Sequence, residues 1–135
     1  MDDMTSRVER TLSALFDMGR ESGIVERFIH NDRVKFGIRS DLFGLFDIVS
    51  MSYESGIVGV QVCGGSDAAA HVRKITIDKR KHAAMWLRCG GKIELWIWRK
   101  VNHETRKGLK VWRPKIKRIT IEDLNEDLLF SKKSA

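Results

Sequence analysis

The stretch DLFGLFDIVSM at residues 41–51 and the stretch IVGVQVC at residues 57–63 decide the fold. Both stretches are mainly apolar, and a short polar segment, residues 52–56, separates them. Two apolar runs around a polar turn that contains glycine predict a β-hairpin with largely buried strands. We expect these strands near residues 45–51 and 57–63.

Two polar residues interrupt the apolar runs of this hairpin, Asp47 in the first and Gln61 in the second. A buried carboxylate is costly without a partner, so Asp47 is the first candidate for a functional residue. The alternative for Asp47 is a structural salt bridge to Arg39 or Arg10. The buried amide of Gln61 could equally serve to satisfy backbone groups.

The rest of the chain alternates helical and strand patterns around the hairpin. A helix with a single apolar stripe precedes it, and a helical crossover and a second hairpin follow it. The elements that we expect are a helix from Thr5 or Ser6 to about Met18, a strand at 24–29, the hairpin, a helix from Ser66 or Asp67 to Ile75, a helical piece from Asp78 to Gly90, strands at 92–99 and 109–119, and a short helix from Thr120.

This order, α-β-β-β-α-β-β-α, predicts a mixed α/β domain with antiparallel hairpins and a helical crossover. We expect one domain over residues 1–135, with a core at about 5–120 and a C-terminal helix and tail at 121–135. Pro114 inside the last run predicts either an edge strand or a strand that is broken at this residue. Trp96 and Trp98 alternate with apolar residues, which favours core or dimer packing over stacking on bases.

Composition limits the class of protein. The chain has 135 residues and is 42% apolar, enough for one core. No apolar run approaches the roughly 18 residues of a membrane span, and the acidic N-terminus does not resemble a signal peptide. We therefore expect a cytoplasmic protein without membrane contact, in which the only two cysteines, Cys63 and Cys89, are reduced.

The net charge of +7 is unevenly distributed. Residues 1–70 carry 7 Lys and Arg against 11 Asp and Glu, whereas residues 71–119 carry 16 against 3. An acidic half beside a basic half is compatible with a metal-binding pocket next to a polyanion-binding surface. A basic surface that meets a protein partner is the alternative.

The sequence FDIV contains an acid, and it is followed by a turn, the sequence VQVCG, a helix and a strand. This order of features is similar to that of the PD-(D/E)xK nuclease superfamily. Within it, the chain most resembles small archaeal-type Holliday-junction resolvases and phage-encoded relatives, over roughly residues 5–120. Glu9 resembles the glutamate in the first helix of resolvases, and residues 39–44 resemble the loop that relatives carry before the metal-binding aspartate. The resemblance implies a restriction-endonuclease-like α/β fold.

Phosphodiester hydrolysis benefits from a hard divalent cation held by carboxylate and carbonyl oxygens. The resemblance therefore implies Mg²⁺ or Mn²⁺ as cofactor, with Asp47, Gln61 and Asp41 as metal ligands. Glu9 and Lys74 complete the expected catalytic set with Asp47 and Gln61. The alternative for Glu9, which its place on a helix favours, is a solvated surface residue, and Asp41 could equally cap a turn.

The sequence departs from the family at two positions of the second strand. Gln61 occupies the position of the second acid, and Cys63 occupies the position of the lysine. A thiol with an ordinary pKa near 8.5 is mostly neutral and cannot replace an ammonium group. Lys74 is the first candidate for a displaced lysine, ahead of Lys35 and Arg39.

The resemblance and the basic half together imply an endonuclease that acts as a homodimer on DNA junctions or other structured DNA, in the cytoplasm or associated with the nucleoid. Lys and Arg side chains bind phosphates without reading sequence. The alternative is a nuclease-derived DNA-binding module without turnover. The residues that we expect to bind nucleic acid are Arg39, Lys35, Arg73, Lys79, Arg80, Lys81, Arg113 and Lys115.

Overall fold

The computed structural model describes residues 6–29 and 38–124, and for residues 28, 29, 38 and 39 it describes the backbone only. Its helices and strands follow the expected order, with one additional two-stranded ribbon. The elements are α1 (Arg7–Asp17), β1 (Glu21–Ile24), β2 (Arg27–Ile29), β3 (Ile38–Ser40), β4 (Ile48–Ser52), β5 (Gly56–Gly64), a 3₁₀ turn (Gly65–Asp67), α2 (Ala68–Arg73), a π-helical segment (Lys74–Asp78), α3 (Arg80–Arg88), β6 (Lys92–Asn102) and β7 (Lys110–Ile119).

Five strands form one mixed sheet in the order β1-β4-β5-β6-β7, and β2 pairs with β3 in a separate ribbon. The predicted hairpin is β4–β5, an antiparallel pair in which Ile48 lies opposite Val60. β5 and β6 are parallel, because the helical segments between them return the chain to the opposite end of the sheet. β7 is antiparallel to β6 and lies at the sheet edge, as Pro114 predicts.

Each face of the sheet packs against helix. Val58 and Val60 of β5 pack with Leu15 of α1 in one cluster. Cys63, two positions further along from Gln61, packs with Ile75 of the π-helical segment in the other cluster. Alternation along a strand sends neighbouring side chains to opposite faces, so this single strand anchors both helical layers.

Trp96 and Trp98 belong to the α1 side of the sheet, where both are buried. Their indole nitrogens are satisfied inside the protein, since Trp98 Nε1 donates to Thr11 Oγ1 at 2.9 Å and Trp96 Nε1 donates to Glu94 Oε1 at 3.0 Å. The expectation that these residues are core is confirmed, and it places them out of reach of stacking bases.

The predicted N-cap residues of the helices are partly confirmed. Ser6 is the N-cap of α1, where its Oγ accepts from the backbone N–H of Glu9 at 3.1 Å. At residues 121–124 the chain is helical after Thr120, whose backbone N–H donates to Asp123 Oδ2 at 2.7 Å. Asp78 caps no helix, because the π-helical segment joins α2 directly to α3 and Lys79 occupies the N-cap position.

The strand expected at residues 24–29 is wrong in its extent. It is divided into β1, which pairs with β4, and β2, which pairs with β3. Two residues between them belong to neither strand, and one of these is Glu26.

The described residues therefore form a mixed α/β fold with a five-stranded sheet and helices on both faces. Within residues 6–29 and 38–124 no helix has the length and apolar character needed to cross a membrane.

Candidate functional site

Asp47 lies at one end of the sheet, immediately before β4 rather than inside it as the sequence predicts. Its backbone is fixed on both sides, because its N–H donates to Val60 O and its carbonyl accepts from Val25 N, each at 2.9 Å. β5 continues beyond this point to Gly64. On the edge that pairs with β4, the residues of β5 after Val60 have the Asp47 side chain beside them, whereas the other edge still pairs with β6.

The carboxylate of Asp47 accepts hydrogen bonds from residues at this end of β5. Its Oδ2 accepts two hydrogen bonds, one at 2.9 Å from the backbone N–H of Val62 and one at 2.7 Å from Nε2 of Gln61. Asp47 is only 7% exposed and Gln61 only 2%. The expected pair of polar residues is therefore in direct contact, and the contact fixes the orientation of the carboxylate.

Lys74 joins the same group of residues from the helical layer. Its Nζ lies 3.2 Å from Oε1 of Gln61 and 3.2 Å from Oδ2 of Asp41. The Gln61 side chain thus donates to Asp47 and accepts from Lys74, and it connects the two. Lys74 therefore contacts Asp41 and Gln61, and its catalytic role stays a prediction.

Three carboxylates meet at this end of the sheet. One oxygen from each of Glu26, Asp41 and Asp47 lies within 4.8 Å of the others. We call Glu26, Asp41 and Asp47 the carboxylate cluster. Oxygen atoms of this kind and number are the ligands that Mg²⁺ and Mn²⁺ prefer.

The cluster changes the acidity of Asp47. Burial raises the pKa of Asp47 to about 7, the hydrogen bond from Val62 opposes this rise, and the charge and side chain of Asp41 and the charge of Glu26 raise the pKa further. The carboxyl group therefore gains a proton near neutral pH, and a cation bound among the carboxylates would compete with that proton.

The loop before Asp47 presents Asp41 through a tight turn. Phe43 and Gly44 have φ values of 58° and 70°, and the N–H of Gly44 donates to Asp41 O at 3.0 Å. The positive φ at Gly44 favours glycine, because residues with a side chain rarely adopt this conformation. The turn is tied to the sheet by Phe46, which is fully buried.

Gly59 explains how Phe46 can be accommodated. A Cβ atom at Gly59 would lie 2.5 Å from the Phe46 ring, so the ring occupies the space that a side chain on β5 would take. The absence of that side chain allows the segment that carries Asp47 to approach β5 closely.

Lys74 owes its position to an irregular helix. It is the first residue of the π-helical segment, and the N–H of Lys79 donates to Lys74 O at 2.8 Å in the wider π pattern. The next residue, Ile75, is fully buried in the core and anchors the segment. Such π-helical insertions often occur at functional sites.

Not every expected residue joins the cluster. Glu9 is exposed on α1, and its carboxylate accepts a 3.1 Å hydrogen bond from the hydroxyl of Ser6 at the helix start. Cys63 is buried in the core, where burial raises the pKa of its thiol to about 11. Cys63 is therefore a neutral core residue and provides no positive charge at the position of the family lysine.

Glu26 is the member of the carboxylate cluster that the sequence analysis does not identify. The available signal was an acid between Val25 and Phe28 in a segment with strand character, the same kind of signal that identified Asp47. Its position follows from β1 ending beside the start of β4, since Val25 N donates to Asp47 O. That contact joins residues far apart in the chain and is not visible in the local pattern.

The expected nucleic-acid-binding residues are distributed over three parts of the chain. Arg73, Lys79 and Lys81 are exposed on the helical layer, and Arg113 and Lys115 are exposed on β7. Arg80 is half-buried, and its Nε donates to Thr76 O at 3.0 Å. Lys35 lies outside the described residues, and only the backbone of Arg39 is described.

Two lysines of β7, Lys115 and Lys117, face the same side of the sheet as Gln61. Lys117 lies opposite Leu95, and Lys115 lies opposite Ile97. Because Leu95 also pairs with Gln61, the side chains of these lysines and of Gln61 project from one face, the face that carries the helical layer of Lys74.

Comparisons with protein-family models, with curated proteins and with solved structures find no match to this chain.

Proposed function

We propose that this protein is a divalent-cation-dependent endonuclease of the PD-(D/E)xK type, with a restriction-endonuclease-like fold, that hydrolyses phosphodiesters in branched or structured DNA. The observation that carries the proposal is the carboxylate cluster with Lys74 beside it, joined through Gln61 at one end of the sheet. An ammonium group next to clustered carboxylates is the combination that this chemistry requires.

The donor set fits a hard divalent cation. Asp47, Asp41 and Glu26 would hold Mg²⁺ or Mn²⁺. The pKa of Asp47 is raised first by burial and then by the neighbouring carboxylates, and a bound cation would offset this negative charge. A bound cation would polarise the phosphate and lower the pKa of a bound water molecule. Gln61 as a further ligand stays a prediction, because its Oε1 already accepts from Lys74.

The residues of the chain supply the remaining chemistry. The Lys74 ammonium group can orient the attacking water molecule and offset the negative charge that develops on the phosphate. Gln61 is a positioning residue, since its amide holds both Asp47 and Lys74. Burial of Asp47 and Gln61 keeps this geometry fixed before substrate arrives.

A second candidate function is DNA binding without turnover. It is favoured by Gln61 and Cys63, which replace the second acid and the lysine of the family with an amide and a buried neutral thiol. A homodimer, which the resemblance implies for either function, stays a prediction.

The two functions are separated by incubating the protein with junction, flap, single-stranded and duplex DNA in Mg²⁺ or Mn²⁺. The wild-type chain should cleave at least one substrate, and Lys74→Gln should cleave it at least ~100-fold more slowly because it lacks the charge next to the phosphate. Arg88→Gln, which removes an exposed cation at the end of α3, next to the opposite end of the sheet, is the matched control and should keep the rate.

Salt-sensitive binding without cleavage of any substrate would favour the second function. Absence of both binding and cleavage at low salt would exclude both functions. Equal rates for Lys74→Gln and the control would show that Lys74 has no catalytic role.

A further inference from the structure

The hairpin of β6 and β7 extends beyond the sheet. The pairing of β6 with β5 ends at Trp98 opposite Gly64, whereas its pairing with β7 continues to Asn102 opposite Lys110. We call residues 99–113 the β-ribbon. Among the described residues, no further strand pairs with the β-ribbon. At about 3.3 Å per residue, the four residues after Trp98 extend roughly 13 Å past the end of β5.

The β-ribbon extends from the end of the sheet that carries the carboxylate cluster. β5 and β6 are parallel, so their carboxyl ends lie together, and Asp47 contacts β5 at Val62, two residues before this end. A Cβ atom at Gly65, the first residue after β5, would lie 3.8 Å from Cβ of Arg99. The β-ribbon thus begins next to the site and continues outward from it.

The β-ribbon is strongly basic. It contains six Lys and Arg residues against a single acid, Glu104, for a net charge of +5. Glu104 pairs with Arg113, at 3.5 Å between largely exposed side chains, and such a pair is worth little in water. The six cations are Arg99, Lys100, Arg106, Lys107, Lys110 and Arg113.

The tip of the β-ribbon is a turn that is stabilised by hydrogen bonds. His103 Nδ1 accepts from the backbone N–H groups of Thr105 and Arg106, at 3.2 and 3.1 Å, and the backbone N–H of His103 donates to Leu109 O at 2.8 Å. These contacts hold the exposed residues Arg106 and Lys107 at the far end. Fixed cations lose less entropy on binding than cations on an unstructured loop.

We infer that the β-ribbon binds a B-form DNA duplex beside the phosphodiester that the proposed cation site would cleave. A two-stranded antiparallel ribbon fits the major groove of B-form DNA, which is about 12 Å wide, and its cations can contact the phosphates on either side. The major groove of A-form RNA is too narrow for such a ribbon. The inference relies on the proposed function only for the position of the cut.

Binding to a fluorescent DNA duplex in EDTA, over a range of salt concentrations, tests the inference without requiring cleavage. Arg106→Gln/Lys107→Gln should bind about tenfold more weakly than wild type near 0.1 M salt. It should also lower the slope of log K against log salt by about 2, because each lost phosphate contact contributes ~0.9. The control, Arg88→Gln/Lys117→Gln, removes the same charge away from the β-ribbon and should stay within about threefold of wild type.

Equal affinities for the two double variants, no binding of wild type to the duplex, or binding of duplex RNA as tight as that of duplex DNA would overturn the inference. A loss of affinity in the tip variant alone supports the inference even when wild type cleaves no DNA in Mg²⁺. Such a result would exclude the proposed nuclease activity but not DNA binding by the β-ribbon. The unfolding temperatures of the two variants should equal that of wild type, since the four side chains are exposed.

Discussion

Two buried carboxylates on opposite sides of the sheet have opposite surroundings. Asp47 is 7% exposed and Glu94 is 3% exposed, so the two are nearly equally shielded from water. Asp47 is held by an amide and a backbone N–H and lies beside two further carboxylates. Glu94 is paired with the guanidinium of Arg20 through two hydrogen bonds, at 2.9 and 3.2 Å.

The different partners move the two acidities in opposite directions. Burial raises the pKa of Asp47 to about 7, and neighbouring carboxylates add to the rise. Burial would also raise the pKa of Glu94, but the hydrogen bonds from Arg20 and Trp96 and the charges of Arg20 and Arg118 lower it below its ordinary value. Glu94 is therefore a satisfied structural anion, whereas Asp47 retains unbalanced charge that a cation can use.

Burial of an acid is thus insufficient to identify a functional site. The charge of the groups around the acid distinguishes a candidate site from a structural ion pair. Both acids interrupt apolar runs of sequence, and local pattern gives them equal standing. What separates them is a contact between Arg20 and Glu94 across 74 positions of the chain.

The largest expected effect on stability comes from breaking the structural pair. Glu94→Gln should lower the free energy of unfolding by roughly 3–5 kcal/mol, because it leaves the buried guanidinium of Arg20 without a countercharge. Urea unfolding at pH 7 measures the loss. Glu54→Gln, at an exposed turn, is the control and should change stability by less than about 0.5 kcal/mol. A loss below about 1 kcal/mol for Glu94→Gln would mean that the pair is not structural.

Replacing the carboxylate of Asp47 by an amide should stabilise the fold, whereas the same replacement at Glu94 should destabilise it. In buffer without divalent cations at pH 8, Asp47→Asn should raise the free energy of unfolding by on the order of 1–3 kcal/mol, since it removes an ionised group that the folded state disfavours. The raised pKa of Asp47 makes ionisation costly to the folded state from about pH 4 upward, with the full cost reached above about pH 7.

The wild-type chain should therefore lose stability relative to Asp47→Asn as the pH rises from about 4 to about 7. Glu94 behaves in the reverse way, because its lowered pKa contributes stability above its unfolded pKa that is lost as the pH falls through the folded pKa. Urea titrations at several pH values measure both slopes. A constant difference between wild type and Asp47→Asn over pH 4–7 would contradict the raised pKa.

Binding of a divalent cation should have a smaller effect on stability than these substitutions. Mn²⁺ or Mg²⁺ at about ten times its dissociation constant should raise the free energy of unfolding by ~1.4 kcal/mol, or the unfolding temperature by roughly 4 °C. The rise should be larger at pH 8 than at pH 6, because protons compete for Asp47. Thermal unfolding detects it, and Asp47→Asn should abolish it while Glu54→Gln keeps it. An equal rise in Asp47→Asn would place the cation elsewhere.

Local sequence signals predict much of the fold. The polar turn at residues 52–56 and the two apolar runs beside it give the β4–β5 hairpin within a few residues at each end, and Ser6 marks the start of α1. Pro114 correctly predicts that β7 is an edge strand. These features depend on capping, alternation and turn chemistry, which act over a few residues.

The candidate site is only partly predictable because long-range packing assembles it. Asp47, Gln61, Asp41 and Lys74 were each identified, but the contacts among them depend on the turn at Gly44 and on the π-helical segment. Neither irregularity has a strong sequence signal. Glu26 was missed because the predicted strand at 24–29 breaks where β1 meets Asp47.

The most direct test of the proposed nuclease site is cleavage by wild type, Asp47→Asn and Glu54→Gln, side by side in Mg²⁺ on the panel of junction, flap, single-stranded and duplex DNA. Wild type and Glu54→Gln should cleave the same substrate at rates within about twofold, whereas Asp47→Asn should fall by at least ~100-fold while remaining folded. Cleavage by Asp47→Asn at the wild-type rate would contradict a catalytic site at the carboxylate cluster.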